Sequence, residues 1–153
     1  MLCHATWLTE EGEEKHAPEF PFLCLTVSGG HTQIIKVNDP FSGEIIGKTI
    51  DDAAGETFDK AAKILGLPYP GGPVIDKLAK EGDPHKFSFA KPRIPDFDYS
   101  FSGLKTSILY FLRDELKKDD AFIEKNKADL CASIQFTIVD ILKEKVEKAI
   151  QKT

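Results

Sequence analysis

Residues 22–27, Phe-Leu-Cys-Leu-Thr-Val, are continuously apolar or β-branched, and the preference returns at Gln33 to Val37 after the polar break Ser28-Gly29-Gly30-His31-Thr32. A run of this kind suits a strand buried on both faces, and two such runs around a glycine-bearing turn predict a β-hairpin. After the turn residues Asn38-Asp39-Pro40 and Ser42-Gly43, Glu44 to Ile50 returns as a third strand, giving three sequential antiparallel strands. The period then changes. Ala54, Phe58, Ala61, Ala62 and Leu65 recur at three and four residues, with Asp51 and Asp52 before them as caps, Gly66 to close the helix and Pro68 to stop its continuation. Val74, Ile75, Leu78 and Ala79 form a shorter stripe, with Gly72 at the cap, Pro73 at the first helical position and Gly82 at the end. Two further helices are expected: Leu104 to Leu116, and a long one from near Lys127 through Leu130, Ile134, Ile138, Ile141, Leu142, Val146 and Ile150. The latter is roughly 24 residues, or about 36 Å.

Three stretches fall outside this pattern. Met1 to Trp7 is apolar without a cap, as though entered in the middle of an element, and residues 9–19 are a charged connector, so 1–19 is separated from the domain at 20–153. The long helix reaches Thr153 without a C-cap, where a following strand is expected. Residues 83–103 are a long irregular insertion in which Phe87, Phe89, Phe97, Tyr99 and Phe101 interleave with His85, Lys86, Lys91 and Arg93. Such a mixture suits looped or single-stranded nucleic acid. It equally suits an insertion that docks its aromatics on its own core, since Asp83, Asp96 and Asp98 nearly cancel the charge.

Composition narrows the classes. A chain of 153 residues is about one domain, and a net charge of −5 with only Arg93 and Arg113 as guanidinium sources gives no global basic footprint. Cys3, Cys24 and Cys131 are odd in number and far apart, which suits free thiols in a reducing compartment, so a cytoplasmic protein is expected. No apolar run reaches membrane-spanning length, and no membrane partner is expected.

Candidate chemistry gathers at the two glycine pairs. At the hairpin tip, positive φ at Gly29 and Gly30 would aim several N–H groups at one spot, with hydroxyls of Ser28 and Thr32 beside it; an ordinary hairpin is the plain alternative. Pro70-Gly71-Gly72-Pro73 precedes a helix whose amino end offers a second anion site, with Asp76 one turn in and pointing partly back over it. Asp59, at the border of the first helix's apolar stripe, either faces the hairpin tip or belongs to a solvated face with Glu56. His4, beside Cys3, has no second ligand at i+4 spacing.

Val27-Ser28-Gly29-Gly30-His31-Thr32-Gln33, then Asp51-Asp52-Ala53-Ala54-Gly55-Glu56-Thr57-Phe58-Asp59-Lys60, then Tyr69-Pro70-Gly71-Gly72-Pro73, then Phe101-Ser102-Gly103-Leu104-Lys105-Thr106 follow one another in the chain. In these four motifs the sequence resembles the tRNA adenosine threonylcarbamoyltransferase family, the TsaD-type proteins once labelled glycoprotease or O-sialoglycoprotein endopeptidase. The likeness runs from His4 to about Ile150 and covers the middle of the family's length. It implies an α/β fold of the actin, Hsp70 and sugar-kinase type (ribonuclease H-like), of which 20–153 would be most of the second subdomain. It implies an acyltransferase that passes a threonylcarbamoyl group from threonylcarbamoyl-adenylate to the adenosine 3′ of the anticodon in tRNA. By the same resemblance, Thr26, Val27, Ser28, Gly29 and Gly30 line ATP or the adenylate together with Asp59, Gly72 and Asp76. A smaller paralogous subunit and a P-loop ATPase are the implied protein partners.

The departures matter too. The family's metal, iron or zinc, is held by a His-x-x-x-His pair and a later aspartate, of which only His4 has a counterpart, the second histidine. The resemblance therefore implies that this chain alone is inactive. Two other readings stay open: a non-catalytic nucleotide- or partner-binding module of the same fold, and a metalloprotease, for which no His-Glu-x-x-His segment is present.

Overall fold

A computed structural model describes Glu19–Thr153 and, in backbone alone, two short strands, β1 (Trp7–Leu8) and β2 (Glu14–Lys15), paired antiparallel through Trp7↔Lys15 and Leu8↔Glu14. Cys3, His4 and the other residues of 1–18 apart from these two strands lie outside the described residues.

The expected three-stranded start is present as β3 (Phe22–Val27), β4 (Thr32–Asp39) and β5 (Ser42–Lys48), in the spatial order β3-β4-β5. β4 is central and contributes the buried Thr32, Ile34 and Val37. The continuous apolar run of β3 does not lie between two layers. It forms an edge, with Leu25 39% and Val27 45% exposed, because among the described residues only β4 pairs with it. The third strand also starts earlier and ends sooner than expected. Asp39 accepts hydrogen bonds from the Phe41 N–H and the Ser42 hydroxyl, so the β4–β5 turn tightens to Pro40-Phe41 and Ser42 pairs back with Asp39. Beyond Lys48 the chain leaves the sheet to meet the insertion, where Thr49 bridges Tyr99 in parallel.

Four helices follow: α1 (Ala54–Ile64), α2 (Gly71–Ala79), α3 (Ser102–Leu116) and α4 (Phe122–Lys152). Gly66, at φ 72°, supplies the left-handed residue that ends α1. α4 begins one turn before the expected Lys127 because two helical pieces meet at a kink at Asn126 (φ −119°, ψ 16°), whose side-chain amide donates to the Phe122 carbonyl. Its buried face, Leu130, Ile134, Ile138 and Ile141, closes the core against Ile75 of α2, Leu104, Ile108 and Leu112 of α3, Ala61 and Ala62 of α1, and Ile34.

The insertion docks on this core. Tyr99 and Phe101 are fully buried and stacked, while Phe87 and Phe89 pack against Phe111, with Phe122 alongside. Its lysines are committed as well: Lys86 to Asp129 and Asn126, Lys91 to Asp140 and Glu144. Those two carboxylates hold the Lys91 ammonium above its ordinary range. Of the two readings of 83–103, self-docking accounts for the aromatics.

The two candidate caps of α1 are used elsewhere. Asp51 accepts from Ser100 Oγ (2.5 Å), the Phe101 N–H (2.8 Å) and Ser102 Oγ (2.9 Å), fastening the amino end of α3. Asp52 pairs with Lys60 at 2.5 Å. α1 is capped from a distance instead, through the hairpin.

Candidate functional site

The hairpin tip and the amino end of α1 are one unit. The Thr32 hydroxyl accepts the Ala54 N–H at 2.9 Å, and the Ser28 carbonyl accepts the Gly55 N–H at 3.1 Å. Thr32 is 1% exposed, so its hydroxyl serves this cap and does not reach a ligand. Within the tip, the Ser28 hydroxyl accepts from Gly30 N–H (3.3 Å) and His31 N–H (3.0 Å). Neither Gly29 nor Gly30 has a left-handed φ. The expected fan of free donors is therefore reduced, because the serine side chain satisfies two of them locally.

What the glycines keep open is space. A Cβ at Gly29 or Gly30 would meet nothing within 4 Å, and one at Gly72 would meet only Phe58 Cβ at 3.9 Å. The chain's own packing asks for glycine at none of these three positions. Gly55 and Gly71 are the opposite case. A Cβ at Gly55 would lie 2.7 Å from the Ser28 carbonyl oxygen, and one at Gly71 would lie 2.4 Å from Ala62 Cβ.

These contacts set the two bends on one stripe of α1. Gly29 lies against Gly55, and Gly71 lies against Phe58, Asp59 and Ala62; residues spaced by three and four share a helix face, about one turn apart. Asp59 does not face the hairpin tip. Its Oδ1 accepts the Gly71 N–H at 2.7 Å, so it caps α2 across twelve residues. α2 accordingly starts two residues before the expected point, with Pro70 at the cap and Pro73 inside the first turn. Asp76 is then too far along the helix to lean back over its end. Its carboxylate meets Gln135 Nε2 and Lys80 Nζ, both at 3.3 Å. Gly72 and Asp76, four apart, share a face of α2.

A cleft of about 260 Å³ runs along the same side of α1, lined by Glu56, Asp59, Lys60 and Lys63 and closed by Leu67, Pro68, Tyr69 and Gly71. Lys60 bridges Asp52 and Glu56; its ammonium holds the Glu56 carboxyl below the usual range, helped by the Ala53 N–H. Thr26 and Val27 end the edge strand beside this assembly, paired with Gln33 and Thr32. Thus Ser28 and Gly29 meet α1 at Gly55, Asp59 meets the amino end of α2 at Gly71 beside Gly72, and Asp76 lies further along α2.

Gly55 and Thr32 anchor the arrangement, and neither was a candidate for that role. A glycine inside an apolar helical repeat is the one sign Gly55 gives. Thr32 gives none, since its acceptor role depends on a partner 22 residues away.

Among the described residues no three His, Cys, Asp or Glu side chains gather closely enough to hold a metal ion, and His4 lies outside them. No helix among them is long and apolar enough to cross a membrane.

Residues 1–153 match the family described as TsaD, tRNA N6-adenosine threonylcarbamoyltransferase. A protein of that name from Porphyromonas gingivalis is 63% identical over 145 residues, which are 95% of this chain and 42% of the relative. One from Christiangramia forsetii is 59% identical over 153 residues, 100% and 44% of the two chains. One from Thermotoga neapolitana is 55% identical over 127 residues, 82% and 37%. The chain spans about two-fifths of the length of the relatives it matches.

Proposed function

The chain belongs to the TsaD family of tRNA N6-adenosine threonylcarbamoyltransferases, and from that premise we propose that it contributes the nucleotide-holding wall of such an enzyme. The reaction is acyl transfer. The exocyclic amine of the adenosine 3′ of the anticodon attacks the carbamoyl carbon of threonylcarbamoyl-adenylate. An N–C bond forms, the C–O bond to phosphate breaks, AMP leaves with the electron pair and the amine loses a proton.

The observation that carries this reading is the open Cβ direction at Gly29, Gly30 and Gly72, along a stripe of α1 that also holds Asp59. Glycine where the fold needs none leaves room for a ligand's oxygens to approach backbone. In this role Thr26, Val27, Ser28, Gly29 and Gly30 run beside the phosphate. Asp59 keeps Oδ1 on Gly71 and turns Oδ2 to the ribose hydroxyls, with Gly72 and Asp76 on the α2 side. The helix ends at Gly55 and Gly71 add favourable potential for the leaving group's negative charge.

The described residues do not fit an iron or zinc centre, and no step is routed through one. A smaller paralogous subunit and a P-loop ATPase as partners, and a cytoplasmic setting, belong to the same proposal.

Calorimetric titration of ATP and of a stable threonylcarbamoyl-adenylate analogue into the chain tests it. Gly30→Val is expected to weaken binding by at least about tenfold, roughly 1.4 kcal/mol, with an unchanged urea midpoint. Equal affinity of the variant removes the hairpin from the site.

A further inference from the structure

The attacking amine has to lose a proton, and the nucleotide reading names no group that takes it. Threonylcarbamoyl-adenylate joins its carbamoyl carbon to phosphorus through a single oxygen, so whatever runs beside the phosphate also lies beside the point of attack. A proton acceptor therefore belongs to the hairpin tip or to the elements packed against it. Most side chains there are committed. The Ser28 hydroxyl already accepts two N–H groups, from Gly30 and His31. At the start of α1, Asp52 and Glu56 both pair with Lys60, which holds the Glu56 carboxyl below its usual range and makes it a weak base. Asp59 holds the Gly71 N–H. Lys48, opposite Gln33 at the end of β5, is a cation with no lone pair to offer.

His31 is the exception. It closes the turn directly across from Ser28: the Ser28 N–H donates to the His31 carbonyl at 2.8 Å, and the His31 N–H donates to the Ser28 hydroxyl at 3.0 Å. Both backbone groups of His31 are thus used inside the turn, which fixes the residue without calling on its side chain. Side chains of a facing pair rise on one face, so the imidazole shares its side with Ser28 and stands next to Gly29 and Gly30, whose Cβ directions are open. The residue is exposed, and among the described residues its imidazole makes no hydrogen bond, ion pair or ring contact. Imidazole is also the side chain whose ordinary titration lies nearest neutrality, where a positioned base works best.

We propose that the His31 imidazole is the proton acceptor of the transfer. Its neutral form takes a proton from the exocyclic amine as the N–C bond forms, the N–H electron pair stays on that nitrogen, the C–O bond to phosphate breaks with its pair leaving on AMP, and the imidazolium returns the proton to solvent. This rests on the nucleotide-wall reading above and adds the base to it.

The test places the chain in a complete enzyme, grafted in place of the stretch it matches in the Porphyromonas gingivalis relative, and follows transfer of labelled threonylcarbamoyl from its adenylate to tRNA across pH. With His31 in place, kcat/KM is expected to rise through the range in which an imidazole titrates, near about 6.5, and then level. His31→Gln should lower kcat by about a hundredfold, the low end of what one positioned base contributes, with KM for the adenylate unchanged and the pH limb gone. Added imidazole should restore part of the rate in His31→Ala and change nothing in the unsubstituted graft. Calorimetry on the chain itself keeps this apart from the nucleotide reading: His31→Gln should bind ATP as the unsubstituted chain does, whereas Gly30→Val should not. The proposal is overturned if the graft is inactive with His31 in place, or if His31→Gln keeps the rate or the limb. It is also overturned if His31→Gln loses ATP affinity in step with the rate, which would make the imidazole a binding contact only. Unaltered ATP affinity in Gly30→Val beside a lost rate and limb in His31→Gln would uphold the base and remove the glycine wall instead.

Discussion

Gly55 and Ser28 touch through backbone: the Ser28 carbonyl accepts the Gly55 N–H at 3.1 Å, and a methyl group on Gly55 would stand 2.7 Å from that oxygen. Gly55→Ala therefore forces the hairpin off the helix. We expect a loss of about 1–3 kcal/mol in urea denaturation, the usual cost of overpacking. Gly30→Ala, whose new methyl meets nothing within 4 Å, should change the midpoint little.

Asp59 serves α2 with one oxygen. Asp59→Ala should cost about 1 kcal/mol, the typical worth of a cap, whereas Asp59→Asn keeps an acceptor for the Gly71 N–H and should stay near wild type. If the second oxygen meets the ribose, both variants lose nucleotide affinity in calorimetry. Asn retaining full affinity would leave Asp59 with the cap alone.

Thr32→Val keeps the shape of a buried side chain and removes the acceptor for the Ala54 N–H. A buried donor left unsatisfied costs about 1–3 kcal/mol. Thr32→Ser should restore most of the lost stability in the same denaturation series.

For Asp51, burial pushes the carboxyl upward, but hydrogen bonds from Ser100, Phe101 and Ser102 outweigh it and hold the carboxyl below its ordinary range. A depressed folded value stabilises above the unfolded value, near 3.9, and the gain is lost as pH falls through the folded one. Asp51→Ala should be less stable than wild type at neutral pH, with the gap closing below about pH 4 in parallel urea titrations.

The alkaline limb has a different origin. Burial pushes the Cys131 thiol up to about 11, against a smaller opposing effect of Lys127. The unfolded thiol ionises near 8.5, so the unfolded chain releases its proton first and stability falls as pH rises from there to about 11. Cys131→Ala should flatten this decline in thermal melts. Native Cys131 should also resist a thiol reagent at neutral pH, while the less buried Cys24 reacts.

Local patterns carried most of the fold. The switch from strand to helix after β5, the glycine at 66 and the resumption of α4 after Asn126 all follow from spacing within a few residues. What spacing misses is the assignment of polar side chains to distant partners. Asp51 and Asp52 look alike before a helix, yet Asp51 is claimed by Ser100 to Ser102, about fifty residues on, and Thr32 takes over the cap. Asp59 was legible as a border carboxylate, but its direction depends on where Gly71 comes to rest. The apolar run of β3 predicts burial on both faces, whereas among the described residues β4 alone pairs with it and Leu25 and Val27 stay exposed.

That outer edge has a consequence for handling the protein. Among the described residues, the side of β3 away from β4 pairs with no other strand, beside Leu25 and Val27, which makes it a template on which another extended chain can grow a ladder. Concentrated solutions should gain intermolecular β structure in the infrared amide band, and a lysine in place of Val27 should delay that association without disturbing the helices behind it.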